Sequence, residues 1–404
     1  IHTICLSMAN DNEQTVPLNL ISVNAKPKTK FKCETVCNYF CFIVILKILL
    51  CILILYRNYK ANKRGKTTKF NFRITCFLQD QDQYQHTLAD FHRSQLQQTL
   101  DFHRLRAEST VKWKQHAITI AGGNGQGNGL NQLYNPQGIH IDGKGQSIYI
   151  ADSSNHRIVQ WKFGENSGQI IAGGNRIDQL SFPTDVIIDQ NNNSLIICDW
   201  GNRRVVRWSL TTQQFIQIIV EDTRCGGLQM SESGDLFIAD IERHVVKKWK
   251  KDENKGIIVA GGNGEGDLFN QLNHPTFIFV DQNDTVYVSD SGNHRVMKWF
   301  KDAKHGIIVA GGYDNGHRSN QLFYPQGLFV SKIGNVYVAA YRNHQIMRWP
   351  SEFRNGYVIV GGNRRGNESN QLRGPIGLSF DAHNNLYIAD SENNRIQRFE
   401  FDRK

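Results

Sequence analysis

The C-terminal part of this 404-residue sequence predicts an all-β fold, and three observations support that prediction. A sequence unit recurs six times, at a period typical of repeat architectures. Each unit contains four short runs rich in β-branched and aromatic residues, separated by Gly, Pro and Asn turns. The strand that the last unit lacks occurs before the first unit. Together these observations predict a six-bladed β-propeller with four-stranded antiparallel blades over residues 112–404.

The end of each unit is its most regular part. An apolar run leads to a small residue and Asp, and then to Asn, Arg and a closing aromatic residue; in the first unit the last four are Asp152, Asn155, Arg157 and Trp161. The positions equivalent to Asp152 are Asp199, Asp240, Asp290, Ala340 and Asp390. The later closing aromatic residues are Trp208, Trp249, Trp299, Trp349 and Phe399. Six copies in register exclude a chance pattern.

A Pro-x-Gly turn precedes this tail, and an apolar strand ending in Gly-Gly separates one unit from the next. The first turn is Pro136-Gln137-Gly138, and equivalent prolines occur at Pro183, Pro275, Pro325 and Pro375. The sixth unit has no final strand of its own, whereas residues 117–123 supply one before the first unit. We therefore expect the first strand to complete the last blade, which would close the ring and remove its free edges.

The order Pro-x-Gly, Tyr-x-Ala-Asp and Asn-x-Arg-(Ile/Val) resembles the NHL repeat, and the resemblance covers residues 112–404. The motif is specific because its order and spacing hold over six units. Blade three departs most, with no Pro-x-Gly and with Arg243 and Val245 where other blades have Asn and Arg. Blade five has Ala340 and Gln345 in place of Asp and Arg. We expect a different loop surface or weaker local hydrogen bonding in these two blades.

The Asp, Asn and Arg residues of the motif are types that also occur in catalytic sites, but their repetition from blade to blade indicates a structural role. Asp and Asn side chains bind backbone N–H groups in turns, and Arg can pair with a carboxylate of its own or a neighbouring blade. We interpret the Trp series as packing between blades. The repeat-motif residues are Asp152, Asn155, Arg157, Asp199, Asn202, Arg204, Asp240, Asp290, Asn293, Arg295, Asn343, Asp390, Asn393 and Arg395.

The resemblance also implies two alternative functions. Amidating lyases and lactonase-type hydrolases are six-bladed propellers with a metal in the central channel, which needs several His, Asp or Glu from the inner strands. Only Asp185 supplies an acid near the inner turns, and no GxSxG, HExxH or phosphate-loop pattern occurs. The aligned inner-strand positions are His140, Ile187, Gln229, Phe279, Phe329 and Ser379. The sequence thus predicts no catalytic residue, no metal and no cofactor, and a metal-dependent lyase or hydrolase is the second alternative.

RNA binding is the first alternative, because NHL propellers of tripartite-motif proteins bind RNA through a basic face. The chain has 47 Lys+Arg and 37 Asp+Glu, a net charge of +10. However, residues 1–111 contribute +7 and residues 112–404 only +3, despite local clusters around Trp208 and Trp249. Paired zinc-binding motifs are absent upstream. The charge distribution argues against nucleic acid as the partner.

Residues 39–56 predict a transmembrane helix. This stretch of eighteen residues contains one charge, Lys47, and has a tyrosine at each end, Tyr39 and Tyr56. Its length suits a span of the lipid bilayer, and tyrosines favour the interface. We expect a single-pass membrane protein. Six basic residues follow the span and four precede it, which slightly favours a cytoplasmic propeller, while sequons at Asn192, Asn283 and Asn367 would be usable only outside the cytosol. The sequence leaves open on which side of the membrane the propeller lies.

Two further segments flank the span. Residues 1–38 predict a disordered basic segment, and residues 57–111 a linker, either helical or disordered. The linker contains Leu88-Ala89-Asp90-Phe91-His92 and Leu100-Asp101-Phe102-His103, two similar Leu and Asp-Phe-His stretches that favour an amphipathic helix capable of weak self-association. Six of eight cysteines lie before residue 112, where inert thiols are preferred over palmitoylation or a metal site. Cys198 and Cys225 are too few for a disulfide scaffold.

The function that the sequence favours is a membrane-anchored interaction scaffold. Propellers bind partners on a loop-rich face, where blades differ while their strands do not. The variable loops here are rich in Gly, Asn and charge, and they comprise residues 124–129, 264–269, 313–319 and 363–369. We expect a protein or glycan partner at this face.

Overall fold

The computed structural model describes residues 7–8, 16–17 and 112–402, except 144, 175–178, 252, 254, 314 and 352–354. The chain divides into two units, Ile1–Leu96 and Gln97–Lys404. In the first, β1 (Ser7–Met8) pairs antiparallel with β2 (Val16–Pro17), inside the segment for which the sequence predicts disorder. The predicted transmembrane helix, 39–56, and the linker, 57–111, lie outside the described residues. No helix within the described residues is long and apolar enough to cross a membrane.

The second unit is an all-β six-bladed propeller, as the repeats predict. Each blade is a four-stranded antiparallel sheet, and its first strand is innermost. Blade one contains β5 (Pro136–Ile141), β6 (Ser147–Asp152), β7 (Arg157–Lys162) and β8 (Gln169–Gly173). Blade two contains β9 (Pro183–Asp189), β10 (Ser194–Asp199), β11 (Arg204–Ser209) and β12 (Phe215–Glu221). Blade three contains β13 (Cys225–Met230), β14 (Leu236–Asp240), β15 (Val245–Trp249) and β16 (Ile257–Gly261).

The remaining blades repeat this order. Blade four contains β17 (Pro275–Val280), β18 (Val286–Asp290), β19 (Arg295–Trp299) and β20 (Ile307–Gly311). Blade five contains β21 (Pro325–Val330), β22 (Val336–Ala340), β23 (Gln345–Trp349) and β24 (Tyr357–Gly361). Blade six contains β25 (Pro375–Phe380), β26 (Leu386–Asp390), β27 (Arg395–Phe399) and β4 (Ile118–Gly122). The predicted closure is confirmed, because β4 pairs with β27.

A second ribbon strengthens the closure, and the sequence did not predict it. β3 (Lys112–Trp113) pairs with β28 (Phe401–Asp402). The indole Nε1 of Trp113 donates a hydrogen bond to the carbonyl of Asn384, at 2.9 Å. Asn384 lies in the turn between the first two strands of blade six. The described chain therefore enters the propeller on the face that carries these turns.

The opposite face carries the loops between blades and five single-turn 3₁₀ helices, and we call it the loop face. The helices are η1 (Ser153–Asn155), η2 (Trp200–Asn202), η3 (Ser291–Asn293), η4 (Tyr341–Asn343) and η5 (Ser391–Asn393). Blade three has a turn instead of a helix at this position.

The core consists of six apolar clusters, each between two adjacent blades. The closing aromatic residue of a blade packs against the preceding blade; Trp161, for example, lies in one cluster with Tyr387 and Ile396 of blade six. Because each blade has an apolar face on both sides, the ring is the arrangement in which every such face is covered.

Candidate interaction surface

The repeated Asp, Asn and Arg form one hydrogen-bonded cluster in each regular blade. In blade one, Asp152 Oδ1 accepts a hydrogen bond from the backbone N–H of Tyr134, at 2.7 Å. Its Oδ2 accepts from Asn155 Nδ2, at 2.8 Å, and from Arg157 Nε, at 2.7 Å. The Asp side chain therefore joins the second strand to the loop before the first strand. The Arg pairs with the carboxylate of its own blade.

Blades two, four and six repeat this geometry. The Arg Nε to Asp Oδ2 distances are 2.7 Å for Arg204 and Asp199, 2.6 Å for Arg295 and Asp290, and 2.8 Å for Arg395 and Asp390. The Asn partners of these acids are Asn202, Asn293 and Asn393. The four carboxylates are fully buried, so each cluster is an ion pair shielded from water.

Burial has a visible electrostatic cost at these carboxylates. Burial raises the pKa of Asp152, Asp290 and Asp390, although the paired Arg and the hydrogen bonds from backbone and Asn oppose the shift. An isolated carboxylate at such a position would be strongly unfavourable. The Arg and Asn partners are therefore needed for these carboxylates to be buried.

The same Arg and Asn fix the shape of the loop face. Arg157 donates to three carbonyls of the preceding loop, those of Asn128, Gly129 and Gln132, at 2.7–3.0 Å. Asn155 donates to a fourth, that of Gly127. Arg295 and Arg395 each bind three carbonyls at the equivalent places. Three of the four variable loops, 124–129, 264–269 and 363–369, are thus held by the repeated Arg and Asn.

Blades three and five, which depart in sequence, also depart in hydrogen bonding. In blade three, Arg243 occupies the Asn position and donates to Asp240, at 3.0 Å. Blade five has Ala340 at the Asp position, and Asn343 Oδ1 accepts the loop N–H, that of Phe323, at 2.9 Å. Gln345 replaces the Arg and is buried. The predicted local differences in these two blades are present.

The sequence analysis missed a second repeated device, a side-chain link between adjacent blades. In every blade the residue before the third strand has a left-handed backbone. In five of the six blades its side chain accepts a hydrogen bond from the residue before the first strand of the next blade. The four histidine acceptors, all through Nδ1, are His156, His244, His294 and His344, with N–H donors Phe182, His274, Tyr324 and Gly374 at 3.0–3.3 Å. Asn394 makes the same link to Asn135, at 2.9 Å. An Nδ1 acceptor requires neutral imidazole, and burial lowers the pKa of His344.

The junction between blades two and three has a disulfide in place of this link. Arg203 occupies the left-handed position there. Cys198 of β10 is bonded to Cys225, the first residue of β13, with a Cα–Cα distance of 5.3 Å. Both cysteines are fully buried. The sequence analysis considered the two cysteines only as a scaffold and so missed the bond; a signal was available, because Cys225 occupies the position of the proline that begins other inner strands.

The inner strands carry two titratable side chains, the half-buried His140 and the buried Asp185. Burial lowers the pKa of His140 to about 4 and raises the pKa of Asp185 to about 7. Asp185 accepts hydrogen bonds from the backbone N–H groups of Val186 and Leu228, both at 2.9 Å. Across the described ranges, no three His, Cys, Asp or Glu side chains are grouped so that they could hold a metal ion. Asp185 and His140 lie on neighbouring blades, and in the described part of the chain they belong to no group of residues that could bind a metal ion.

Several aromatic side chains project from the loop face. Phe182 and Tyr324, which precede the first strands of blades two and five, are 43% and 40% exposed. Both have positive φ, 46° and 52°, a conformation that bulky residues rarely adopt. Each packs one edge against the histidine that accepts its N–H, with ring centroids 4.4 Å from His156 and 4.7 Å from His294. The loop face therefore exposes apolar side chains whose backbone N–H groups and ring edges contact histidines of the preceding blade.

These features define a six-bladed β-propeller whose loop face is held by repeated side-chain hydrogen bonds. Residues 133–161, 272–299 and 372–399 match the family model described as NHL repeat. The chain thus carries NHL repeats in blades one, four and six, and the resemblance inferred from the motifs is confirmed.

Other comparisons agree on the fold. Similar solved structures include an auxiliary nutrient binding protein from Bacteroides thetaiotaomicron, with 15% identity, a TM-score of 0.58, and 72% of this chain and 77% of that chain covered. Another is an auxiliary nutrient binding protein from Bacteroides ovatus, with 12% identity, a TM-score of 0.56, and 72% and 78% covered. At such identities the likeness shows the fold alone. A search of curated protein sequences found no significant match.

Proposed function

We propose that the protein is a membrane-anchored interaction module whose loop face binds a protein or glycan partner. The observation that carries the proposal is the pair of exposed aromatic residues Phe182 and Tyr324, whose backbone N–H groups are held by hydrogen bonds to histidines of the preceding blades. A preorganised surface loses little conformational entropy on binding, and backbone strain of this kind is concentrated at binding sites. The described chain enters the propeller on the opposite face, next to Asn384.

Site-specific photocrosslinking in cells would test this function. A photoreactive phenylalanine analogue in place of Phe182 or Tyr324 of the full-length protein is expected to capture the same discrete partner from both positions. The control position is Phe300, which is 54% exposed and lies in a turn on the opposite face. Capture of one species from all three positions, or from Phe300 alone, would contradict a loop-face site.

We also propose that the propeller lies on the non-cytosolic side of its membrane. The Cys198–Cys225 disulfide supports this orientation, because disulfides form and persist in oxidising compartments. It outweighs the two-charge difference between the flanks of residues 39–56. The sequon residues Asn283 and Asn367 are exposed and thus accessible to glycosylation.

Glycosidase treatment and protease protection of the full-length protein would test the orientation. We expect a mobility shift with glycosidase that decreases in Asn283→Gln and Asn367→Gln variants, and a propeller cleavable from the non-cytosolic side. An unglycosylated propeller accessible from the cytosol would overturn the orientation and make RNA the next partner to test.

A further inference from the structure

The arginines of the loop face fall into two groups with different charge balance. In blades two and three, acidic side chains neutralise them. Arg203 pairs with Asp222, at 2.7 Å, and with Glu242, at 2.6 Å. Arg243 pairs with Asp222 and, at 3.0 Å, with Asp240. These arginines already have carboxylate partners.

Between blades five and six, arginines outnumber their partners. Arg365 Nη2 and Arg373 Nε both bind Glu392, at 2.7 and 3.1 Å. Arg342 and Arg364 are exposed, and within the described residues neither forms an ion pair. We call these four residues, Arg342, Arg364, Arg365 and Arg373, the arginine cluster. Its charge exceeds that of the one carboxylate it encloses by three.

The cluster is a built carboxylate-binding arrangement, because the protein's own Glu392 shows how one carboxylate is held there. Tyr341 donates its hydroxyl to Glu392 Oε1, at 2.8 Å. The guanidinium of Arg342 lies over the Tyr341 ring, 5.1 Å from its centroid. Although burial acts to raise it, hydrogen bonds from Tyr341 and Arg365 hold the pKa of Glu392 below its usual value. The site thus stabilises an ionised carboxylate.

The same loop carries a second acid, Glu368, whose side chain is exposed. Glu368 precedes Ser369, whose carbonyl accepts the N–H of Ala117 beside the outer strand of blade six. Arg395 binds the Glu368 carbonyl at 3.0 Å, which fixes the backbone there. The loop backbone is therefore fixed, and with Glu368 counted as a second carboxylate the arginine cluster still has two more charges than the acids beside it in sequence or contact.

We propose that the arginine cluster binds an acidic segment of a partner protein, rich in Asp and Glu. The inference rests on the proposed function of the loop face and names its partner class. Guanidinium groups bind carboxylates through two parallel hydrogen bonds, and Arg and Tyr are the residues most often dominant at protein interfaces. Carboxylate is the anion that the cluster demonstrably accommodates.

Equilibrium binding of a fluorescent Glu-rich peptide to the full-length protein in detergent tests the proposal. The Arg342→Glu/Arg364→Glu variant leaves Glu392 and both of its Arg partners in place. We expect its Kd to rise roughly tenfold or more, and wild-type affinity to fall with salt. The matched control, Lys304→Glu/Lys332→Glu, makes the same charge change at exposed lysines in turns of the opposite face; its Kd should stay near that of the wild type.

A second variant tests the cluster by gain of binding. Glu392→Gln removes the internal carboxylate charge but keeps an acceptor for Tyr341, so affinity for the peptide should increase several-fold. The proposal would be overturned if the arginine variant bound the peptide with the Kd of the wild type. It would also be overturned if the arginine and lysine variants raised the Kd equally. Preferential binding of a sulfated polysaccharide or an RNA oligonucleotide at the cluster would overturn it as well. If the peptide fails while crosslinks from Phe182 and Tyr324 persist, the proposed function survives and only the partner class is wrong.

Discussion

At the residue scale, the central feature is a buried charge that depends on its immediate partners. Asp290 is fully buried and Arg295 nearly so. Exposed ion pairs contribute little to stability, but removal of one member of a buried pair leaves an uncompensated charge in a region of low polarity. Blade five lacks this ion pair, because Ala340 stands at the Asp position and Gln345 at the Arg position.

We therefore predict strong coupling between these two positions. Asp290→Ala and Arg295→Gln alone should each lower the free energy of unfolding by about 3–5 kcal/mol. The double variant reproduces blade five and should cost clearly less than the sum of the two. Urea denaturation of all four proteins measures the coupling. Additive losses would show that the two side chains act independently.

A second residue-scale prediction concerns acid sensitivity. Burial lowers the pKa of His140 to about 4, against about 6.5 in an unfolded chain. The unfolded state binds the proton first, so His140 costs no stability above pH 6.5, and the cost grows as the pH falls from there to about 4. At the low end it reaches about 3 kcal/mol.

The variant His140→Gln, which copies Gln229 at the equivalent position of blade three, should reduce the loss of stability within that pH window. Denaturation midpoints of wild type and variant, compared between pH 7 and pH 4, measure this difference. Parallel pH curves would mean that His140 titrates normally in the folded protein.

At the element scale, the inner strands approach one another closely enough that side chains are excluded at one ring of positions. A Cβ built on Gly327 would lie 2.9 Å from the backbone N of Leu378 and 3.1 Å from the Cα of Gly377. Both neighbours are backbone atoms of the next inner strand and cannot rotate away. Asp185 and Phe277 occupy the equivalent positions in blades two and four, so the ring is not uniform.

Gly327→Ala is accordingly expected to destabilise the propeller by about 1–3 kcal/mol through overpacking. Gly125→Ala provides a control for backbone strain alone, because Gly125 has a φ of +78° but no heavy atom within 4 Å of its added Cβ. Thermal unfolding of both variants separates the two effects. A smaller loss for Gly327→Ala than for Gly125→Ala would exclude close approach as the dominant cause.

At the scale of the whole molecule, the ring is closed by several independent connections. The β4–β27 pairing and the β3–β28 ribbon join the two ends of the propeller. Side-chain links join five neighbouring pairs of blades, and a disulfide joins the sixth. Each blade is therefore fixed to both neighbours by polar or covalent contacts as well as by apolar packing.

Reduction of the Cys198–Cys225 bond should lower the melting temperature of the wild-type protein. The bond closes a loop with a sequence separation of 27, for which chain entropy predicts a stabilisation of about 3 kcal/mol. The Cys198→Ala/Cys225→Ala variant should melt lower than wild type and show no response to reductant. If reductant leaves the wild-type melting temperature unchanged while thiol labelling shows complete reduction, the bond does not contribute to stability.

The sequence by itself determined the repeat, the number of blades, the closing strand and the residues of the Asp-Asn-Arg clusters. These features are local or periodic: each blade repeats the same short pattern of apolar strands and turn residues, so one register explains all six. It also located the two irregular blades, because a missing Asp or Arg is visible against five other copies.

Only the tertiary structure decided the side-chain contacts between residues far apart in the chain. The histidine links join residues separated by 26 or 30 positions, and Trp113 meets Asn384 across the whole domain. The arginine cluster likewise assembles from three separate loop segments. A single sequence carries no signal for such pairs, since their geometry depends on how the blades are arranged around the ring. The order of residues could place the loops on one face. It could not show which charged side chains on that face lack an ion-pair partner.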